Sequence, residues 1–177
     1  MNYLKIIGTL SLLISSLYGT GQDCNVVSPK AEKLLIKAKF ERDQQKKVAI
    51  LNKALSKNPD EASVYFELGE LYAVLGNNSL RTQSSPSEGE QMLKKAAYYY
   101  QSSIQKCKSY HPKSYYNLGN ILFSLGKDKE ALYCYKSLVE FEQKYPGQIK
   151  GDYEAQKANA LKIIKGLEFD KNMKQNH

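Results

Sequence analysis

Few side chains in this sequence stand at spacings that could do chemistry. The two histidines are His111 and His177, and the second is the last residue. No His and Cys pair falls at metal-ligand spacing. Gly69 and Gly119 each stand alone among large residues, so no glycine-rich loop is offered to a phosphate. The serines have no candidate base beside them. The carboxylates Asp60-Glu61 and Glu140/Glu142 suit helix ends and solvated faces. Cys24, Cys107 and Cys134 make an odd set, which argues against a fully paired disulfide framework. Cys134 reads as a small apolar filler. Cys107 stands near a helix end, where pairing with Cys24 is open, and the odd count favours leaving both unpaired. These residues predict a non-enzymatic protein with no catalytic residue, no metal and no cofactor.

Composition narrows the class further. With 42% hydrophobic and 25% charged residues the chain is globular rather than disordered. The net charge of +8 allows a polyanion as partner. The lysines, however, are scattered along helical faces, and Arg42 and Arg81 are the only arginines. Specific phosphate and base recognition recruits Arg forks. A Lys-rich surface that binds nucleic acid, glycan or lipid is therefore the alternative to a protein partner, and no specific nucleic acid is expected.

The elements that position these residues are clearest between Pro112 and Tyr145. Tyr115, Leu118, Leu122 and Leu125 recur at three- and four-residue spacings, so they share one helix face. Ala131, Tyr135 and Leu138 do the same on a second helix. Gly126-Lys127-Asp128 joins the two, and Pro146 stops the second. Small residues at Gly119 and Ala131 would let the helices approach closely.

An aromatic, Leu-Gly three residues on, then Ala, an aromatic four later and a Pro form a pattern that resembles the tetratricopeptide repeat. Leu122 stands where that family usually has Tyr, and Leu138 where it usually has Ala. The frame extends backwards. Tyr65, Leu68-Gly69, Tyr72 and Leu75 match a first helix, and a degenerate repeat carries Leu34, Leu51 and Ala54. The resemblance implies an all-α, right-handed solenoid of three helix hairpins plus a C-terminal capping helix. Its repeats cover about 28–61, 62–111 and 112–145, and the cap about 151–169, within a domain of 28–169. The cap carries Tyr153, Gln156, Ala160, Ile163, Ile164 and Leu167 on its buried face. Residues 170–177 read as a polar tail.

The second repeat is too long for its frame. Ala96 stands twenty positions after Gly76, where Ala131 stands five after Gly126, an excess of fifteen residues. The excess falls in the polar stretch 77–90, which reads as a surface loop. Ser85-Pro86-Ser87-Glu88 reads as a capping box that restarts the helix.

In the tetratricopeptide family the first helices line a concave groove. Carried over, the groove takes Phe66, Glu70, Ala73 and Val74 from the second repeat. The third gives Lys113, Tyr116, Asn120, Phe123 and Ser124, and the first Glu32, Ile36, Lys39 and Phe40. Phe66, Glu70, Val74, Lys113, Tyr116, Asn120 and Phe123 are the principal partner-binding residues. Members that clamp a terminal carboxylate have Lys where Tyr116 stands, and Asn at the place of Asn120. The function implied is a scaffold or adaptor that binds a peptide or protein segment.

The amino terminus predicts export. Lys5, the apolar run Ile6–Leu17 and the small residues Gly19-Thr20-Gly21 resemble a signal peptide over 1–21, cut before Gln22 and followed by a linker over 22–27. An uncleaved anchor is the alternative, and Asp23 departs from the lipoprotein pattern at Cys24. No membrane span is expected once the signal is removed. The protein is expected in the bacterial periplasm or secreted. The run GLEFDKNMKQN resembles repeat modules of some outer-membrane-associated proteins.

Overall fold

The computed structural model describes residues 28–82 and 85–175. The expected signal peptide, the linker with Cys24, and His177 lie outside them. Eight α-helices and no strand occur among the described residues: α1 (Pro29–Phe40), α2 (Gln44–Lys57), α3 (Ala62–Thr82), α4 (Pro86–Lys106), α5 (Pro112–Ser124), α6 (Asp128–Val139), α7 (Phe141–Lys144) and α8 (Tyr153–Gln175).

Side chains cap three of the helix starts. Ser28 Oγ accepts from the Ala31 amide at 3.2 Å, and Pro29 opens α1. Asp43 Oδ1 accepts from the Lys46 amide at 2.9 Å and caps α2. His111 caps α5 through Nδ1, which accepts from the Lys113 amide at 3.2 Å. Between α5 and α6 the chain turns at Gly126, whose φ of 70° needs a residue without a Cβ.

The helices pack on their chain neighbours. α1/α2, α3/α4 and α5/α6 are hairpins, α2/α3 and α4/α5 join them, and α8 closes against α5 and α6. Each junction has its own apolar cluster. Ala38, Leu51, Val64 and Leu68 fill the first, and Leu93, Ala96, Tyr100 and Leu118 the second. Tyr135, Leu138, Phe141, Tyr153 and Ile164 fill the third. Buried polar groups tie the joints. Glu61 accepts from the Ser28 amide at 3.1 Å, from Asn58 Nδ2 at 3.2 Å and from the Ser63 hydroxyl at 2.9 Å. Tyr153 donates to the Leu138 carbonyl at 3.2 Å and accepts from the Glu142 amide at 3.3 Å.

The segment expected as a loop at 77–90 is mostly helix instead. α3 runs on through Thr82 and α4 begins at Pro86. A Cβ at Gly76 would stand 2.9 Å from the Gly89 carbonyl oxygen, and one at Gly89 would stand 2.8 Å from Leu80 Cγ. Two glycines thus let α3 and α4 touch beyond the repeat frame. Ser79 Oγ donates to the Ser85 carbonyl at 3.0 Å and closes the turn. Ser85 makes no side-chain capping bond, so the capping box is not formed.

Two smaller expectations also change. α8 continues through Gln175, into the stretch read as a polar tail. Cys107 is disulfide-bonded rather than unpaired, while Cys134 is a free buried thiol. An odd count excludes a complete set of pairs but not one pair, and Cys107 ends α4 in extended backbone that turns it out of the helix.

Candidate functional site

One face of α3 carries Glu70, Ala73, Val74 and Asn77, at three- and four-residue spacings. One face of α5 carries Lys113, Asn117, Asn120 and Ser124 at the same spacings. With Leu93, Tyr100 and Ile121 these residues line a pocket of about 380 Å³.

Two glycines set its geometry. A Cβ at Gly69 would stand 2.8 Å from the Tyr100 ring, so glycine lets that ring lie against α3. The Tyr100 hydroxyl then reaches Glu70 and donates to its carboxylate. The third hairpin repeats the device. A Cβ at Gly119 would stand 2.8 Å from Tyr135, whose hydroxyl donates to Asn120 Oδ1 at 2.8 Å.

Glu70 is the hub. Besides Tyr100 it accepts from Asn117 Nδ2 at 2.7 Å and pairs with the Lys113 ammonium. Asn117 Nδ2 also donates to the Tyr100 hydroxyl at 2.9 Å. Burial, and then the Glu70 charge, push the Tyr100 phenol far above its usual range, so it stays a protonated donor. Burial and then Glu70 also raise the neighbouring Glu67 carboxyl.

The network fixes two amides and leaves one polar atom of each without a protein partner among the described residues. These are Asn117 Oδ1, an acceptor, and Asn120 Nδ2, a donor. A peptide backbone presents the complementary donor and acceptor. Ala73, Val74, Leu93 and Ile121 add apolar walls.

Neither Cys134 nor His111 is activated. Burial pushes the Cys134 thiol up to about 12. Burial, then Lys150 and Lys113, push the His111 imidazole down to about 4. That ring stacks on Phe66 at 4.6 Å while its Nδ1 caps α5. Among the described residues no three His, Cys, Asp or Glu side chains are grouped to hold a metal.

Of the residues expected in the groove, Glu70, Ala73, Val74, Lys113, Asn120 and Ser124 meet in this pocket. Phe66 does not. It is 7% exposed, because His111 at the start of the next hairpin folds over it and the Tyr100 and Tyr110 rings meet it edge-on. Tyr116 is half-buried, its ring edge-on to Tyr135 at 6.4 Å. Phe123 is exposed (46%) beyond the pocket, and on α1 so is Phe40 (77%). The Lys113 ammonium is held by Glu70 rather than left for a ligand. Asn117 and Asn77 were not among the expected groove residues. Asn117 sits four residues after Lys113 and three before Asn120, so the polar stripe was visible in the sequence.

Helix hairpins stacked in chain order and closed by a final helix make this an all-α helical-repeat fold. No family model matches the chain, and no curated protein matches it. Among solved structures it is similar to one titled "Crystal structure of MamA", at 16% identity and a TM-score of 0.23, covering 86% of this chain and 100% of that one.

Proposed function

We propose that the chain is a non-catalytic scaffold or adaptor of the bacterial cell envelope that holds an extended segment of a partner protein between α3 and α5. The observation that carries this is the fixed Asn117 acceptor and Asn120 donor set between apolar walls, which suits a peptide backbone. Phe40, Val74 and Phe123 each add an exposed apolar side chain on the first helix of a hairpin. Export is supported by the amino-terminal pattern and by the disulfide at Cys107, since disulfides persist in oxidising compartments. No helix among the described residues is long and apolar enough to cross a membrane.

The test is a pull-down from a fractionated cell envelope at moderate salt, read by mass spectrometry. The chain should retain a stoichiometric protein partner. Val74→Asp and Asn120→Ala should each weaken that partner by about tenfold, the effect of losing one well-placed contact. The melting temperature of Val74→Asp should stay unchanged, because Val74 is 52% exposed. Asn120→Ala also removes the acceptor of the buried Tyr135 hydroxyl and should melt lower, so its capture is compared at a temperature where it remains folded. Equal capture by both variants would move binding away from this pocket.

A further inference from the structure

We propose that a second groove, between α4 and α6, docks an acidic segment of a partner protein through apolar anchors. The groove has a volume of about 790 Å³ and lies on another face of α5 from the pocket just described. Leu118, Leu122 and Leu125 form its floor. Ala97 and Cys134 are small, which keeps the walls apart. Tyr98 and Tyr133 stand on opposite walls at 62% and 72% exposure. Neither ring is needed to fill the core, and paired exposed aromatics over an aliphatic floor mark an interaction surface.

Charge selects the occupant. Lys94, Lys108, Lys127 and Lys129 line the groove, against Glu130 as its acidic residue. Lys94 pairs with Glu90 at 2.6 Å. Lys108, Lys127 and Lys129 have no carboxylate partner among the described residues. Lys127 and Lys129 stand at the amino end of α6, where the helix dipole adds positive potential; Asp128 and Glu130 in the same turn offset part of it, and of these two only Glu130 lines the groove. Lys94 and Lys108 lie fourteen positions apart. At the helical rise that spans roughly 20 Å, room for about six extended residues. Acidic side chains would meet the lysines at both ends, and apolar ones the leucine floor between them. A nucleic acid could stack on Tyr98 and Tyr133 but would need denser cations along its backbone than three unpaired lysines over this length.

The test pans a random dodecapeptide display library against the full chain. Enriched peptides should combine Asp or Glu with Leu, Ile or Phe. The double variant Lys127→Glu, Lys129→Glu and the double variant Tyr98→Ala, Tyr133→Ala should each lower their affinity by about tenfold. All four side chains are exposed, so the fold should persist. Val74→Asp, which addresses the α3–α5 pocket, should leave these peptides bound, so the two sites stand or fall separately. No enrichment, enrichment without acidic bias, or loss only in Val74→Asp would overturn the proposal. So would retention of oligothymidylate that the Lys variants abolish while acidic peptides fail to bind, and that result would assign the groove to nucleic acid.

Discussion

One missing methyl group decides how close two helices come at Gly119. A side chain there must displace the Tyr135 ring, which a Cβ would approach to 2.8 Å. Gly119→Leu should therefore cost about 1–3 kcal/mol by overpacking, read from denaturant unfolding. Gly166 in α8 is the control. Nothing lies within 4 Å of its added Cβ, so Gly166→Ala should be stabilising by about 0.5–1 kcal/mol. His111 predicts a pH dependence. Its imidazole is lowered from 6.5 to about 4 in the fold, by burial first and then by Lys150 and Lys113. The fold therefore favours the neutral ring, and this contribution is complete above about 6.5 and lost as pH falls from there towards 4. His111→Asn keeps a capping side chain that does not titrate. Unfolding measured at neutral and mildly acidic pH should show a smaller acid loss in this variant than in the parent. Equal losses would mean that His111 does not carry the acid sensitivity. The Gly119 contact was legible because a glycine amid large residues, facing the second helix of its hairpin, has a packing reason. The burial of Phe66 was not, because it depends on a ring forty-five positions later.

The element that departs most from its sequence pattern is the α3/α4 hairpin. α3 ends eight residues beyond Val74, which corresponds to Ser124 at the end of α5. α4 begins seven residues before Leu93, which corresponds to Asp128 at the start of α6. The fifteen extra residues thus lengthen both helices by about two turns. The stretch shows no apolar period because Leu80 stays 39% exposed and little beyond the glycines at 76 and 89 is buried, and a helix polar on most sides leaves no periodic trace. Gly89→Leu should separate the tips at a cost of about 1–3 kcal/mol. Hydrogen exchange should show protected amides at 77–82 in the parent and faster exchange there in the variant. Unprotected amides in the parent would restore the loop.

At the scale of the molecule, the main helix contacts among the described residues join each hairpin to its chain neighbours, so stability should be a sum of local terms. Ile164→Ala on the closing helix should cost about 2–5 kcal/mol by leaving a cavity. The damage should be graded, with hydrogen exchange rising first in α5, α6 and α8 and least in α1 and α2. Uniform acceleration would show that the array unfolds as one unit. The sequence alone determined the helical class, the hairpin spacing and the faces carrying Tyr115, Leu118, Tyr135 and Leu138. Those follow from local periodicity, glycine and proline, which act within a few residues of chain. Tertiary structure alone decided that Glu70 gathers Tyr100, Lys113 and Asn117, that His111 covers Phe66, and that α4 and α6 leave an open groove. Each joins residues of different hairpins, and no periodicity within one helix records which side chain a neighbouring hairpin brings against it.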